Sequence, residues 1–241
     1  MDNISRLNPI REILTADPAR IRKLFVLDGS SKPKLLEIVE MASTAKIPVV
    51  PVSRRWLERM DPHHQGVLAY VSPPGYVSLP GLLAKSDIPF LVLLDGIEDP
   101  QNLGAIIRSA EGAGVDGIIL PQNRASGLTG TVRKVSAGAV DHMKVARVPN
   151  LVRTMEELRR QGVWLVGAEG GGDRQWWDFD YSLPVGLVLG SEGKGLRPLV
   201  KRHCDALLSL PLLGRITSLN VAAAAAVFFY EIVRQRGKRT G

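Results

Sequence analysis

Cysteine is almost missing from this chain: Cys204 is the single one in 241 residues. No internal disulfide can form, so apolar packing and backbone hydrogen bonds must hold the fold, and a reducing compartment is expected. His203 precedes Cys204, and neighbours at i and i+1 on a helix face apart. Cys204 is therefore read as a small buried hydrophobe rather than half of a Cys/His catalytic pair. Histidine is scarce too, with four residues. His63 and His64 have no cysteine partner, and no His or carboxylate set shows ligand spacing, so no metal is expected. Long apolar runs are also lacking. Val221 to Tyr230 is half the roughly 20 residues that a membrane helix needs, and the start MDNISRLNPIREIL carries no signal-like apolar stretch. A cytoplasmic protein without a membrane partner is the expectation.

The familiar nucleotide and hydrolase signatures are missing as well. Gly112, Gly114 and Gly117 spell G-x-G-x-x-G, but they follow a helical pattern and precede a strand, the reverse of the dinucleotide order. They read as a helix end and a turn. Gly190 to Gly195, GSEGKG, contains Gly-Lys but lacks the Ser or Thr and the glycine spacing of a P-loop. No G-x-S-x-G occurs.

What is present is a chain 45% hydrophobic and 23% charged, enough for one large or two small cored domains. Lys and Arg exceed Asp and Glu by 31 to 24, giving a net charge of +7, which suits a polyanionic partner such as nucleic acid. Arg234, Arg236, Lys238 and Arg239 form a basic tail, read as a solvated end.

Hydrophobic periodicity predicts a helix over 5–16, a strand over 23–27, a helix over 33–45, a strand over 49–52, a short helix over 54–60 and a strand over 67–71. This alternation predicts a small three-layer domain, residues 1–75. Residues 76–88 fall in a stretch rich in Pro and Gly and read as a linker. From 89 to 241 the pattern predicts a second α/β domain with a mostly parallel sheet. Its strands lie over 90–94, 117–120, 163–166, 185–189 and 207–210, with helices at 102–113, 128–138, 151–161, from Leu196, and at the end.

In such sheets ligands bind beyond the carboxyl ends of the strands. Three strand-end loops carry unusual chemistry: DGIEDPQNLG after Leu94, GSEGKG after Leu189 and PLLGRITSLN after Leu210. Asn102 can cap the helix that also contains Arg108, whose planar fork binds phosphate. Glu192 is the one carboxylate of a glycine-rich turn. Ser218, Leu219 and Asn220 stand where loop becomes helix. Taken singly, these are equally a surface helix with a solvated Arg, a plain connection and a capped core helix.

Taken together, NLGAIIRSA from Asn102, GSEGKGL from Gly190, and LPL with SLNV between Leu210 and Val221 closely resemble the SpoU/TrmH family of RNA ribose 2′-O-methyltransferases in the SPOUT superfamily. Residues 1–75, with His64-Gln65-Gly66-Val67, resemble the family's accessory RNA-binding domain of L30e-like type. The resemblance implies a C-terminal trefoil knot, S-adenosylmethionine as methyl donor without a metal, a homodimer, and ribosomal RNA as substrate, with guanosine in 23S rRNA as the target. By position it implies cofactor contacts at Gly190, Leu210, Leu212, Leu213 and Leu219, and a catalytic set of Asn102, Arg108, Glu192, Ser218 and Asn220. A guanidinium does not readily give up its proton near neutral pH. Arg108 is therefore read as positioning the target phosphate and stabilising the developing alkoxide, with Glu192 orienting its polar neighbours. A transfer-RNA 2′-O-methyltransferase of the same family, and a non-catalytic RNA-binding factor on the same fold, are the competing readings.

Overall fold

The computed structural model describes residues 2–72, 75–83 and 86–237. The chain divides into two compact units, Met1–Pro74 and Gly75–Gly241.

The first unit runs β1 (Asp2–Ile4), α1 (Leu7–Ala16), β2 (Ile21–Leu27), α2 (Pro33–Thr44), β3 (Val49–Val52), α3 (Arg54–Met60) and β4 (Val67–Val71). Its sheet has the order β1-β4-β2-β3, with β2 and β3 parallel and the other pairs antiparallel. On one face Ile10, Ile13 and Leu14 of α1 meet Leu35, Ile38 and Ala42 of α2 over Leu24, Val67 and Ala69, the stripe that helical spacing demands. The other face is covered by α3 through Leu57. The His64-Gln65-Gly66 turn is pinned at both ends: Leu7 N donates to Gln65 Oε1 at 3.0 Å, and Leu27 N to Gly66 O at 2.8 Å. The three-residue β1 is too short to leave a period in the sequence and was not expected.

The second unit runs α4 (Leu79–Leu83), β5 (Phe90–Asp95), α5 (Pro100–Gly112), β6 (Gly117–Pro121), α6 (Gly130–Val135), β7 (Val145–Val148), α7 (Leu151–Arg160), β8 (Trp164–Ala168), β9 (Arg174–Gln175), β10 (Val185–Gly190), α8 (Pro198–Arg202), β11 (Ala206–Ser209) and α9 (Val221–Gly237). The sheet order is β7-β6-β5-β10-β8-β11-β9, and every neighbouring pair is parallel. The central strands β5, β6 and β10 are therefore buried on both faces. In β5, Phe90, Val92 and Leu94 join the core under α5 and α9, while Leu91 and Leu93 join the core under α7. Ala222 and Ala225 let α9 lie close on α5, and Phe228 and Phe229, 1% and 0% exposed, fill the space beyond, each contributing roughly 1.5–3 kcal/mol.

Two expectations are corrected. The stretch read as a linker is partly integrated into the second unit: α4 buries Leu82 against Gly117, and Val77 N donates to Val145 O at 2.9 Å. Pro and Gly there punctuate the chain while its leucines still pack; Pro73, Pro74, Ala84 and Lys85 lie outside the described residues. The basic tail is not a free end as far as Gly237. Arg234 forms a two-pronged pair with Glu231, and Arg236 donates to the carbonyls of Tyr181, Leu183 and Ile88 at 3.0, 3.0 and 3.1 Å. Lys238 and Arg239 lie outside the described residues.

Candidate active site

Because β5, β8, β10 and β11 are parallel, the loops that follow them leave the same edge of the sheet. The Gly190–Arg197 loop is the centre of that edge. Ser191 and Gly195 close it with reciprocal backbone bonds of 3.1 and 2.9 Å. A Cβ on Gly190 would stand 2.2 Å from the Gly195 carbonyl carbon, and Gly195 has φ +64°, so both positions call for glycine.

Three side chains fix this loop. Asp95, 1% exposed at the end of β5, accepts from Arg197 N at 2.9 Å and from Arg197 Nε at 2.6 Å. Glu169, just past β8, accepts from Leu196 N and from Lys201 Nζ, both at 3.2 Å. At the tip, Glu192 accepts from Asn102 Nδ2 at 3.0 Å and from Asn220 Nδ2 at 3.3 Å, and Asn220 Nδ2 also donates to Asn102 Oδ1 at 2.8 Å. Asn220 Oδ1 accepts from Ala222 N at 2.9 Å, so the same side chain caps α9.

Asn102 does not cap α5, contrary to expectation. Asp99 holds that place by accepting from Gln101 N at 3.0 Å, and the Pro100 that follows suits the first turn. Asn102 is thereby carried into the first turn, where it is buried and turned toward Glu192 and Asn220.

A cavity of about 430 Å³ opens between this loop and residues 210–221. Gly190, Leu210, Leu212 and Leu219 line it, as do Glu192 and Ser218. Asn102 and Asn220 are joined to the lining through Glu192. Leu213 is 99% exposed and outside the lining, and Arg108 is an exposed residue of α5, also outside it. The lining further includes Glu169, Thr217 and Phe228, which sequence reasoning did not select. The strand-end rule applied to β8 would have found Glu169. Glu169, Glu192, Lys194 and many backbone groups stand on the wall, so the lining offers hydrogen-bond acceptors and donors to a polar ligand. Cys204 takes no part: burial first, then Asp205, pushes its thiol up to about 12, so it stays protonated. Among the described residues no group of His, Cys, Asp and Glu could hold a metal ion, and no helix is long and apolar enough to cross a membrane.

The sequence model of the SpoU rRNA Methylase family matches residues 89–230, and that for RNA 2′-O ribose methyltransferase substrate binding matches residues 7–77. A Bacillus subtilis strain 168 relative, YacO, named for the TrmH family of tRNA/rRNA methyltransferases, is 40% identical over 98% of this chain and 96% of its own. The 23S rRNA (guanosine-2′-O-)-methyltransferase RlmB of Pseudomonas aeruginosa is 40% identical over 98% of this chain and 97% of its own. The crystal structure of the SpoU methyltransferase AviRb from Streptomyces viridochromogenes, in complex with AdoMet, superposes with a TM-score of 0.82 at 28% identity, covering 98% of this chain and 90% of that one.

Proposed function

The chain belongs to the SpoU rRNA Methylase family, and from that premise we propose that it transfers a methyl group from S-adenosylmethionine to the ribose 2′-hydroxyl of a guanosine in 23S ribosomal RNA. The observation that carries this reading is the cavity walled by Gly190, Leu210, Leu212 and Leu219, with the Asn102–Glu192–Asn220 cluster at its rim.

The residues present fit such a cofactor. The leucines and Phe228 offer an apolar wall for a base, Gly190 and Gly195 let backbone come close, and Glu169 and Glu192 offer acceptors for its polar groups. When bound, the cofactor supplies an electrophilic methyl group. Gly190, Leu210, Leu212 and Leu219 would hold it, and Leu213 would join them when residues 211–219 close over it. Asn102 and Asn220, kept in one orientation by Glu192, shape the pocket together with Ser218, while the walls exclude water from the transfer.

Arg108 is assigned to the target RNA: its guanidinium grips the phosphate and stabilises charge developing on the 2′-oxygen. Its exposed place on α5 supports a homodimer in which it serves the partner's cavity. Val227, Tyr230 and Val233, three residues apart and 38%, 56% and 37% exposed on α9, offer an apolar stripe for that contact. The place of β11 inside the sheet, between β8 and β9, suits a threaded C-terminal segment. Residues 1–75 are assigned to RNA binding as an L30e-like domain and 89–241 to catalysis.

The test is methyl transfer to transcribed 23S rRNA, followed by mapping of the modified ribose. Arg108→Ala is expected to lower kcat by about 100-fold or more with cofactor affinity unchanged, on the scale of a lost transition-state donor. Activity of Arg108→Lys near that of the wild type would end the proposed role of the planar guanidinium, and no methylation of 23S rRNA by the wild-type protein would end the reading itself.

A further inference from the structure

The two faces of the first unit's sheet are unlike. α1 and α2 cover one face over a broad core, and their charged residues are mixed: Arg11 and Lys34 against Glu12, Glu37 and Glu40. The other face is covered by the seven residues of α3, with Leu57 as its buried plug. All three aromatic residues of the unit, Phe25, Trp56 and Tyr70, gather there. The Phe25 ring lies 4.7 Å from that of Trp56 and 4.9 Å from that of Tyr70, and Lys23 Nζ stands 5.4 Å over Phe25. Trp56 and Tyr70 keep part of their surface in solvent.

The charges of α3 are Arg54, Arg55 and Arg59 against Glu58, and Glu58 is taken by Arg54 at 3.0 Å. Arg55 and Arg59 are left side by side, both exposed and one turn apart. Like charges at that spacing weaken a helix slightly, so this arrangement works against the stability of α3 unless an anion lies between them. Cations beside partly exposed aromatic rings are the elements with which proteins hold unpaired RNA: arginines on phosphates, ring faces on bases.

We propose that the α3 face of the first unit, Arg55 and Arg59 with Trp56 and Lys23, is the surface that grips the RNA substrate, with a base stacked on Trp56 and backbone phosphates on the two arginines. The inference rests on the RNA-methylating function proposed above and assigns a face to its substrate contact; the α1 and α2 side, where charges of both signs are mixed, is assigned none.

The experiment measures binding of the full-length protein to transcribed 23S rRNA at several salt concentrations, alongside S-adenosylmethionine binding and methyl transfer. Arg55→Glu with Arg59→Glu is expected to weaken RNA binding at least tenfold near 0.15 M salt and to reduce the salt slope by about 1–2, while cofactor affinity stays within twofold. Trp56→Leu, which keeps an apolar side chain over Phe25, is expected to weaken binding about fivefold or more with the slope unchanged, because stacking is not counterion release. Lys32→Glu with Lys34→Glu, the same charge change on the α2 side, should stay within threefold. Wild-type methylation of 23S rRNA with unchanged RNA affinity for the Arg55/Arg59 variant would overturn this surface and leave the function standing, as would an equal loss from the Lys32/Lys34 variant. Absence of binding and methylation by the wild-type protein would overturn both.

Discussion

Asn102, Glu192 and Asn220 hold one another at 3.0, 2.8 and 3.3 Å, whereas residues 213–219, on the other rim of the same cavity, stand in solvent with Leu213 99% exposed. The first rim is a polar network whose members satisfy each other, and it is tied to the sheet by Asp95 and Glu169, so its geometry costs nothing to assemble at the moment of reaction. The second rim has an apolar side chain in water, and no hydrogen bond among the described residues ties 211–219 to the sheet. Any closure of it on binding would cost about 1–2 kcal/mol per residue further fixed, to be supplied by ligand contacts. The site is thus divided between a rim tied into the fold and a rim that is not.

The sharpest way to break that division is Gly190→Ala. Its methyl group would lie 2.2 Å from the Gly195 carbonyl carbon and 2.3 Å from Leu196 N, both backbone, so the loop cannot close without carrying Glu192 away from Asn102. Loss of S-adenosylmethionine binding by at least about 100-fold, with a destabilisation of about 3 kcal/mol or more in urea unfolding, is expected, the scale of overpacking where nothing can yield. Normal binding by this variant would show that the loop is not the preformed element.

Asn220 tests the network itself. Asn220→Ala removes the cap of α9, worth about 1 kcal/mol, and strips Asn102 and Glu192 of a shared partner, worth about 1–3 kcal/mol more. Asn220→Asp keeps the cap acceptor but faces Glu192 with a second carboxylate. The alanine variant should lose both stability and kcat; the aspartate variant should melt within a few degrees of wild type yet lose kcat about 100-fold. Wild-type activity in the aspartate variant would reduce Asn220 to a cap.

The same division marks what was legible in the sequence. Strands such as Phe90–Asp95 and Val185–Gly190 were readable because both faces are buried, leaving unbroken apolar runs, and the three strand-end loops followed from the parallel sheet. β7 was not readable, since exposed Arg147 interrupts VARV, nor was the two-residue β9. Within the site, Asn102, Glu192 and Asn220 could be selected, but not the bonds that join residues 118 apart in sequence, which only the fold supplies. Asn102 was misread as a cap because Asp99, three residues earlier, competes for the same role with Pro100 behind it. Glu169 was passed over because its loop, rich in glycine, carried no motif.

The smallest expected effect falls on the solvent-exposed rim and is the most informative about it. At 99% exposure Leu213 contributes almost nothing to the stability of the fold, so Leu213→Ala should shift unfolding by less than about 0.5 kcal/mol. If residues 211–219 close over the cofactor, the same side chain becomes buried only in the complex, and its loss removes roughly 1.5–3 kcal/mol of transfer free energy from binding alone. Calorimetric titration with S-adenosylmethionine should then show a Kd weaker by roughly ten- to a hundredfold, with a smaller negative heat-capacity change because less apolar surface leaves water. Leu212→Ala, at a position already in the lining, is the reference: its effect should divide between stability and affinity. A Leu213→Ala protein with unchanged Kd would mean that the outer rim stays open around the bound cofactor, and the ordering cost would then disappear from the account of its affinity.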